Sequence, residues 1–245
     1  MSSAPILKQG LFPLAEVLDH LLEIGSWGMG APVEIEFAVN LGTTPGAPRE
    51  FGFLQMRPLA LSRESEALEV GEVDDERLIC RSASVLGNGR IEGVRDVVVV
   101  DVNRFDRSLS FQAARELGRF NGELLAEGAA YLLVGVGRWG SQDPWMGIPV
   151  AWEQISGARA IVEAGFRDFR VTPSQGTHFF QNLTSFNVGY FTVNPDAGEG
   201  FVDWDWLAAQ PAVRETDYVR HLRFEQPIVI MMNGKKNEGM IFKPA

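Results

Sequence analysis

The stretch that decides the fold is RDVVVVDVNRFDRSLSFQAARELGRFNGELLAEGAAYLLVGV, residues 95–136. It begins with an apolar run at 95–102, continues as an amphipathic segment at 108–127, and ends with a second apolar run at 129–136. Short apolar runs are typical of buried strands, and apolar residues at helical spacing indicate a helix with one buried face. Ser108 and Ser110 are the candidate caps of that helix. The strand–helix–strand order predicts an α/β domain.

The pattern on either side of this stretch extends the prediction. Towards the C-terminus we expect a strand or helix at 155–165, a short helix at 177–186, a strand at 188–193, a short helix at 203–210 and a terminal β-hairpin over 219–234. Towards the N-terminus we expect a helix at 11–26 and two strands, 32–40 and 50–59, joined as a hairpin with a long loop. The charged segment 62–77 is the candidate acidic linker, which gives domains 1–61 and 78–245.

Composition limits the classes of function. The 245 residues are 45% hydrophobic, which is enough for a core and excludes intrinsic disorder. A net charge of −10 argues against a protein that coats nucleic acid or an anionic membrane. The single cysteine allows no intrachain disulfide, and there is neither a run of 18 apolar residues nor a signal-peptide pattern at the N-terminus. We therefore expect a cytoplasmic protein.

The predicted hairpin carries four polar residues, Glu34, Glu36, Gln55 and Arg57. Because side chains alternate along a strand, Glu34 and Glu36 share one face of their strand, and Gln55 and Arg57 share one face of theirs. Carboxylates are hard oxygen ligands that suit magnesium, and an arginine beside them would bind a phosphate. The other interpretation is a pair of Glu–Arg contacts on the surface, which would contribute only about 0–1 kcal/mol.

The motif GVGRWG (135–140) matches G-x-G-x-x-G but does not predict a dinucleotide site. That site needs a helix that begins at the third glycine, and the residues that follow, SQDPWMGIP, contain prolines at 144 and 149. The same loop holds Arg138, which could bind a carboxylate or phosphate through two hydrogen bonds. Alternatively, the loop is only a packed connection in which Arg138 pairs with Asp143 and the tryptophans are buried.

The segment PSQGTHFFQNLTSFN (173–187) contains His178 among polar residues and two phenylalanines. A histidine in such a cluster could act as a nucleophile or a base. It could equally lie in the hydrogen-bonded start of a helix. His221 lies in a strand pattern and Cys80 in an apolar one, and both are interpreted as structural; the histidines and the cysteine show no zinc-ligand spacing.

The hairpin resembles a known family. IEFAVN and EFGFLQMRP, within about residues 30–59, are similar to the end of the ATP-grasp domain of phosphoenolpyruvate synthase and pyruvate phosphate dikinase, where I-E, a short spacer and L-Q-x-R-P follow one another. The resemblance implies that Glu36 and Gln55 contact a metal ion and ATP, and that Arg57 contacts a phosphate. The implied cofactors are ATP and Mg²⁺.

The blocks GRWGSQDPW and SQGTHFFQNLTSF look like those of a divergent bacterial group within this family. In the known enzymes a swivelling phosphohistidine domain follows the ATP-grasp domain. SQGTHFFQNLTSFNVGYFTV is similar to its signature in order, with a glycine, Thr177, His178, a helix-like run and a strand. It departs from the signature at Pro173, Ser174 and Gly176. By resemblance, residues 78–245 form a swivelling-type α/β domain, and His178 is the catalytic candidate.

The resemblance also implies a larger protein. About 60 residues before the linker are too few for a whole ATP-grasp fold, so we expect the N-terminal ATP-grasp half to lie in the same protein and the isolated chain to be inactive. The expected function is that of the C-terminal region of an ATP-dependent phosphotransferase, whose ligands are a nucleotide and a small carboxylate or phosphate compound. The alternative is a non-catalytic ligand-binding or regulatory module derived from that family.

Overall fold

The computed structural model describes residues 13–29, 33–40, 49–58, 73–100, 102–141, 143, 145–165, 170–172, 183, 186 and 188–244; at 28, 29, 57 and 58 it describes the backbone. The chain divides into two compact units, Met1–Leu61 and Ser62–Ala245. Strands predominate over helices, and a large curled sheet accompanies the helices. The predicted mixture of α and β structure is confirmed. Among the described residues, no helix is long and apolar enough to cross a membrane.

The smaller unit is a helix packed on a two-stranded ribbon. Helix α1 (Leu14–Met29) precedes strands β1 (Val33–Asn40) and β2 (Glu50–Pro58), which pair antiparallel as predicted. The helix ends at Met29, three residues after its predicted end at residue 26, and Gly25 lies inside it. A Cβ atom at Gly25 would overlap the side chains of Met56 and Val33. Close packing against the ribbon thus explains why a glycine lies inside this helix despite its low helix propensity.

In its described residues, the larger unit contains the remaining strands and two helices. The strands are β3 (Leu78–Ser82), β4 (Val85–Leu86), β5 (Asn88–Val100), β6 (Tyr131–Val136), β7 (Arg138–Trp139), β8 (Gly147–Ile148), β9 (Ala158–Ala164), β10 (Gly189–Val193), β11 (Gly200–Val202), β12 (Ala212–Glu215), β13 (Val219–Asn233) and β14 (Glu238–Phe242). The helices are α2 (Ser110–Ala126), between β5 and β6, and α3 (Trp204–Ala209).

Ten of these strands form one sheet in the order β11-β3-β14-β13-β5-β6-β9-β10-β4, with β12 paired to β13. Strands β5, β6, β9 and β10 are mutually parallel, and the other pairs are antiparallel. The sheet curls, as a hydrogen bond between two of its distant strands shows: the Ser82 hydroxyl in β3 donates at 2.6 Å to the carbonyl of Thr192 in β10, six positions away in the order. Strands β7 and β8 form a separate small parallel pair.

Side-chain alternation gives the sheet two apolar faces. In β5, Val97 and Val99 belong to a cluster with Leu132, Val134 and other residues of neighbouring strands on one face. The intervening residues of β5 and β6 face a second cluster, which includes the buried side of α2 with Leu117, Phe120 and Leu124. The long apolar runs of the sequence follow from this burial on both faces. Cys80 is fully buried in the first cluster, and burial raises the pKa of its thiol, as expected for a structural cysteine.

Three local predictions are corrected or resolved. The prediction of a terminal hairpin over 219–234 is wrong. Strand β13 runs continuously from Val219 to Asn233 and pairs with β5 on one side and β14 on the other. Residues 155–165 contain a strand, β9. The predicted serine caps are also wrong: Leu109 occupies the cap position of α2 without a side-chain hydrogen bond, and Asp106 instead caps the short 3₁₀ turn at 107–109. The predicted helix at 177–186 falls largely outside the described residues.

Candidate functional site

The polar residues of the ribbon share one face. In the register of β1 and β2, Glu36 lies directly opposite Gln55, and Glu34 directly opposite Arg57. Directly opposed residues of an antiparallel pair project to the same side, so the ribbon brings these four positions together. The intervening pair, Ile35 and Met56, belongs to the other face, where Met56 packs against α1. The polar face is therefore the one turned away from the helix.

A β-bulge interrupts the ribbon beside this polar face. The register shifts between Glu36 and Phe37, so that Leu54 is the extra residue between Gln55 and Phe53. A bulge increases the local twist and changes the direction of the neighbouring side chains, and bulges are common next to functional sites. The Leu54 side chain is 65% exposed. The bulge thus changes the direction of β2 next to Gln55, where the polar face begins.

Two side chains with oxygen atoms lie on this face, at the place where the sequence predicts a magnesium site. Glu36 is exposed and supplies a carboxylate, and Gln55 supplies an amide oxygen. Mg²⁺ usually takes one or two protein ligands and completes its octahedron with water and substrate phosphates. In the part of the chain that the structure describes, no group of three or more His, Cys, Asp or Glu side chains could hold a metal ion. A shared metal–phosphate site on the ribbon stays a prediction.

Arg138 lies in the larger unit, on a tightly built loop after β6. Its amide donates to the carbonyl of Met146 at 2.9 Å, and the amide of Gly140 donates to the carbonyl of Ile148 at 2.9 Å. The GVGRWG segment thus leads into the strand pair β7–β8, as its prolines suggested, rather than into a helix that could bind a dinucleotide. Gly137 has a positive φ of 73°, which permits the sharp turn between β6 and β7. Arg138 itself is half-buried.

A buried carboxylate anchors this loop, and the sequence analysis missed it. Glu163 in β9 is fully buried; its Oε1 accepts the amide of Trp139 at 2.8 Å, and its Oε2 accepts the hydroxyl of Tyr190. The Trp139 indole also donates to the carbonyl of Val162 at 3.0 Å. The available signal was a single glutamate inside the apolar strand ARAIVEA, since a buried carboxylate needs hydrogen-bond donors.

The loop lies at the carboxyl ends of two parallel strands. Arg138 follows the carboxyl end of β6, and Glu163 lies near the carboxyl end of β9, its parallel neighbour. In α/β sheets, ligands bind beyond the carboxyl ends of parallel strands. Glu163 fixes the backbone next to Arg138 through the amide of Trp139, so Arg138 belongs to an anchored part of the loop at this edge. Of the two buried tryptophans expected beside Trp139, Trp145 is 63% exposed and Trp152 is partly buried.

His178 lies outside the described residues, so its role stays a prediction. Of the segment around it, Leu183 and Phe186 are described. Leu183 is fully buried in the same cluster as Tyr190 and Trp139, and Phe186 stacks on Trp152 with ring centroids 5.3 Å apart.

A second buried polar network surrounds His221. Its Nε2 lies 2.6 Å from Oδ1 of Asp96, and the same oxygen accepts a 2.6 Å hydrogen bond from Nε of Arg223. Arg223 also donates to Glu127, at the end of α2. Burial raises the pKa of the Asp96 carboxyl, but the hydrogen bonds from His221 and Arg223 outweigh burial and hold it below its ordinary value. His221 is fully buried, and its interpretation as a structural residue stays a prediction.

Comparisons with protein-family models, with curated proteins and with solved structures find no match to this chain.

Proposed function

We propose that this chain is the C-terminal region of an ATP-dependent phosphotransferase of the phosphoenolpyruvate synthase and pyruvate phosphate dikinase type. In this proposal the smaller unit is the end of an ATP-grasp domain, whose N-terminal half belongs to the same protein. The larger unit is the α/β domain that receives or presents the phosphoryl group. The observation that carries the proposal is the register of the ribbon, in which Glu36 opposes Gln55 and Glu34 opposes Arg57 on one polar face.

The roles of the ribbon residues follow from their chemistry. Glu36 and Gln55 would hold Mg²⁺ through two hard oxygens, and Arg57 would bind a phosphate group of ATP. Magnesium, when bound, neutralises charge on the phosphate oxygens during transfer. The ribbon itself orients the nucleotide, since it is held by α1 on its other face. In the larger unit, Arg138 would bind a carboxylate or phosphate of the second substrate, and His178 would carry the phosphoryl group.

We expect Gln55→Ala and Arg57→Ala each to lower the ATP-dependent rate of the full-length protein by about tenfold or more. Gln55→Ala removes a proposed oxygen ligand of Mg²⁺, and Arg57→Ala removes a charge-assisted contact to phosphate. Nucleotide affinity, measured by calorimetry with Mg²⁺ and a non-hydrolysable ATP analogue, should fall in parallel. The matched control is Glu50→Gln, at the far end of the same ribbon, where Glu50 is exposed and accepts from Asn40. If both alanine variants keep wild-type affinity and rate, the ribbon does not contact the nucleotide.

We expect the full-length protein, incubated with ATP labelled on its transferable phosphates, to acquire an acid-labile and base-stable label that His178→Asn abolishes. A phosphohistidine has this pattern of stability, and asparagine has no ring nitrogen to accept the phosphoryl group. His20→Asn is the matched control, because His20 lies on α1 in the smaller unit and should keep the label. A label that persists in His178→Asn places the phosphate on another residue, and no label in the wild type favours a non-catalytic binding module.

A further inference from the structure

The larger unit contains a cavity of about 490 Å³ that the proposed function does not use. It lies beside three neighbouring strands of the sheet, β11, β3 and β14. The end of β3 forms one side, the start of β14 and the turn before it form another, and the start of β11 closes a third. This volume falls within the range of small-molecule sites, which is about 300–1,000 Å³. The cavity is large enough for a compact metabolite.

The charged groups of the lining favour an anion. Arg81 and Lys236 contribute two positive charges and Glu238 one negative charge, although the whole chain carries −10. Asp75 does not line the cavity, and its Oδ1 accepts from Nε of Arg81 at 2.7 Å and lies 2.6 Å from Nη2, but the Asp75 side chain is 61% exposed. An exposed ion pair is screened by water and neutralises its partner only in part. The lining therefore retains positive charge.

The Arg81 guanidinium is held in place by hydrogen bonds, but its Nη1 has only a weak acceptor. Its Nη2 donates to the carbonyl of Val73 at 2.8 Å, which fixes the group together with Asp75. Its Nη1 contacts the thioether sulfur of Met240 at 3.7 Å. A thioether is a weak acceptor, so an anionic oxygen in the cavity would be a much better partner for Nη1. A guanidinium that is already ordered loses little entropy when it binds such an oxygen.

Two glycines form the side of the cavity that the start of β11 provides. Gly198 and Gly200 have positive φ values of 69° and 103°, and a Cβ atom at Gly200 would overlap the backbone of Arg81. Glycine is thus required at Gly200 by both conformation and space. The hydroxyl of Ser82, in contrast, is used within the fold, because it donates to carbonyls of β10 and of the β3–β4 turn. The recognition groups of the cavity are therefore Arg81 and Lys236.

We propose that this cavity binds a small organic anion, a phosphate monoester or a carboxylate, through Arg81 and Lys236. The site belongs to the larger unit alone, so it does not depend on the ribbon or on the phosphotransferase proposal. Its role would be to recognise a metabolite through Arg81 and Lys236 rather than through Arg138.

The test is an NMR titration of the 245-residue chain with glycerol 3-phosphate and, separately, with glycerate, each to about 10 mM, where even weak binding is seen. We expect saturable shifts of the amides at 198–200 and 236–240 with at least one of the two probes. The probe that binds identifies the anionic group. No saturable shift with either probe, or shifts confined to other parts of the chain, would overturn the proposal.

Variants make the assignment specific. Lys236→Gln should weaken binding by about fivefold to tenfold, the effect of one lost charged contact, and Glu238→Gln should strengthen it. Lys235→Gln removes the neighbouring exposed lysine, which does not line the cavity, and should leave the affinity within about twofold. Arg81→Gln should weaken binding further. Because Arg81 also pairs with Asp75, the folding of the Arg81→Gln variant is checked first by circular dichroism. Equal weakening of binding by Lys235→Gln and Lys236→Gln would contradict the assigned contacts.

Discussion

Replacing Asp96 with asparagine should lower the free energy of unfolding by about 3 kcal/mol at pH 7, because it removes the carboxylate from a buried charged network. Asp96 is 5% exposed, and one of its oxygens accepts from both His221 and Arg223. Nδ1 of His221 has no hydrogen-bond partner in the described part of the chain. The imidazole therefore depends on Asp96 for its polar contact, and the variant weakens it. Urea unfolding followed by circular dichroism measures the change.

The pH dependence of this effect has a definite sign. The pKa of Asp96 is lower in the folded protein than its ordinary value, to which the unfolded value of about 3.9 corresponds. The stability that the carboxylate contributes is therefore fully present above about pH 4 and is lost as the pH falls through the folded pKa. The difference between wild type and Asp96→Asn should shrink below about pH 4. A difference that stays constant down to pH 2 would contradict this assignment.

Glu127→Gln is the control for the outer end of the same network. Glu127 accepts from Arg223 at 2.6 Å, but its side chain is 44% exposed. An exposed ion pair contributes about 0–1 kcal/mol, so this variant should be almost as stable as the wild type. If Glu127→Gln were as destabilising as Asp96→Asn, the network would act through its surface charges and burial would not be the cause.

The parts of the fold that could be predicted from the sequence are those that local pattern specifies. Strand–helix–strand order over 95–136 and the ribbon at 33–58 follow from periodicity and short-range pairing. The strand β13 was missed because Glu225, Gln226 and Pro227 resemble a turn. In the structure the pairing with β5 shifts register between Arg223 and Ile228, so an irregular stretch of strand accommodates the proline. A bulge and a turn use the same residue types, and only non-local pairing distinguishes them.

In the candidate sites, too, contacts between residues near in sequence could be predicted and contacts between distant residues could not. Opposition of Glu36 and Gln55 could be expected from a hairpin, whose strands are neighbours in sequence. The contact of Trp139 with Glu163 joins residues 24 positions apart, and the contact of Asp96 with His221 joins residues 125 apart. Such contacts depend on the strand order of the sheet, which periodicity does not specify. A lone acidic residue in an apolar strand, as at Asp96 and Glu163, is the local signal that a partner must exist.

Gly147→Ala should lower the free energy of unfolding by roughly 3–5 kcal/mol, because the added Cβ atom would overlap the backbone of Arg138. Gly147 lies opposite Arg138 in the parallel pair of β7 and β8. Backbone cannot move aside as a flexible side chain can, so the two strands must separate. Separation would pull Trp139, which is 1% exposed, away from Glu163 and the carbonyl of Val162. The cost therefore includes lost packing and a buried carboxylate without one of its donors.

The matched control is Gly122→Ala in α2, where a Cβ atom would meet nothing within 4 Å. Alanine has the higher helix propensity, so this variant should be more stable than the wild type by about 0.5–1 kcal/mol. The same chemical change is thus expected to act in opposite directions at two glycines. Urea unfolding followed by tryptophan fluorescence and circular dichroism measures both. If Gly147→Ala were as stable as the wild type, the loop that presents Arg138 would not be rigidly joined to the sheet, and a fixed anion contact at this edge would lose its structural basis.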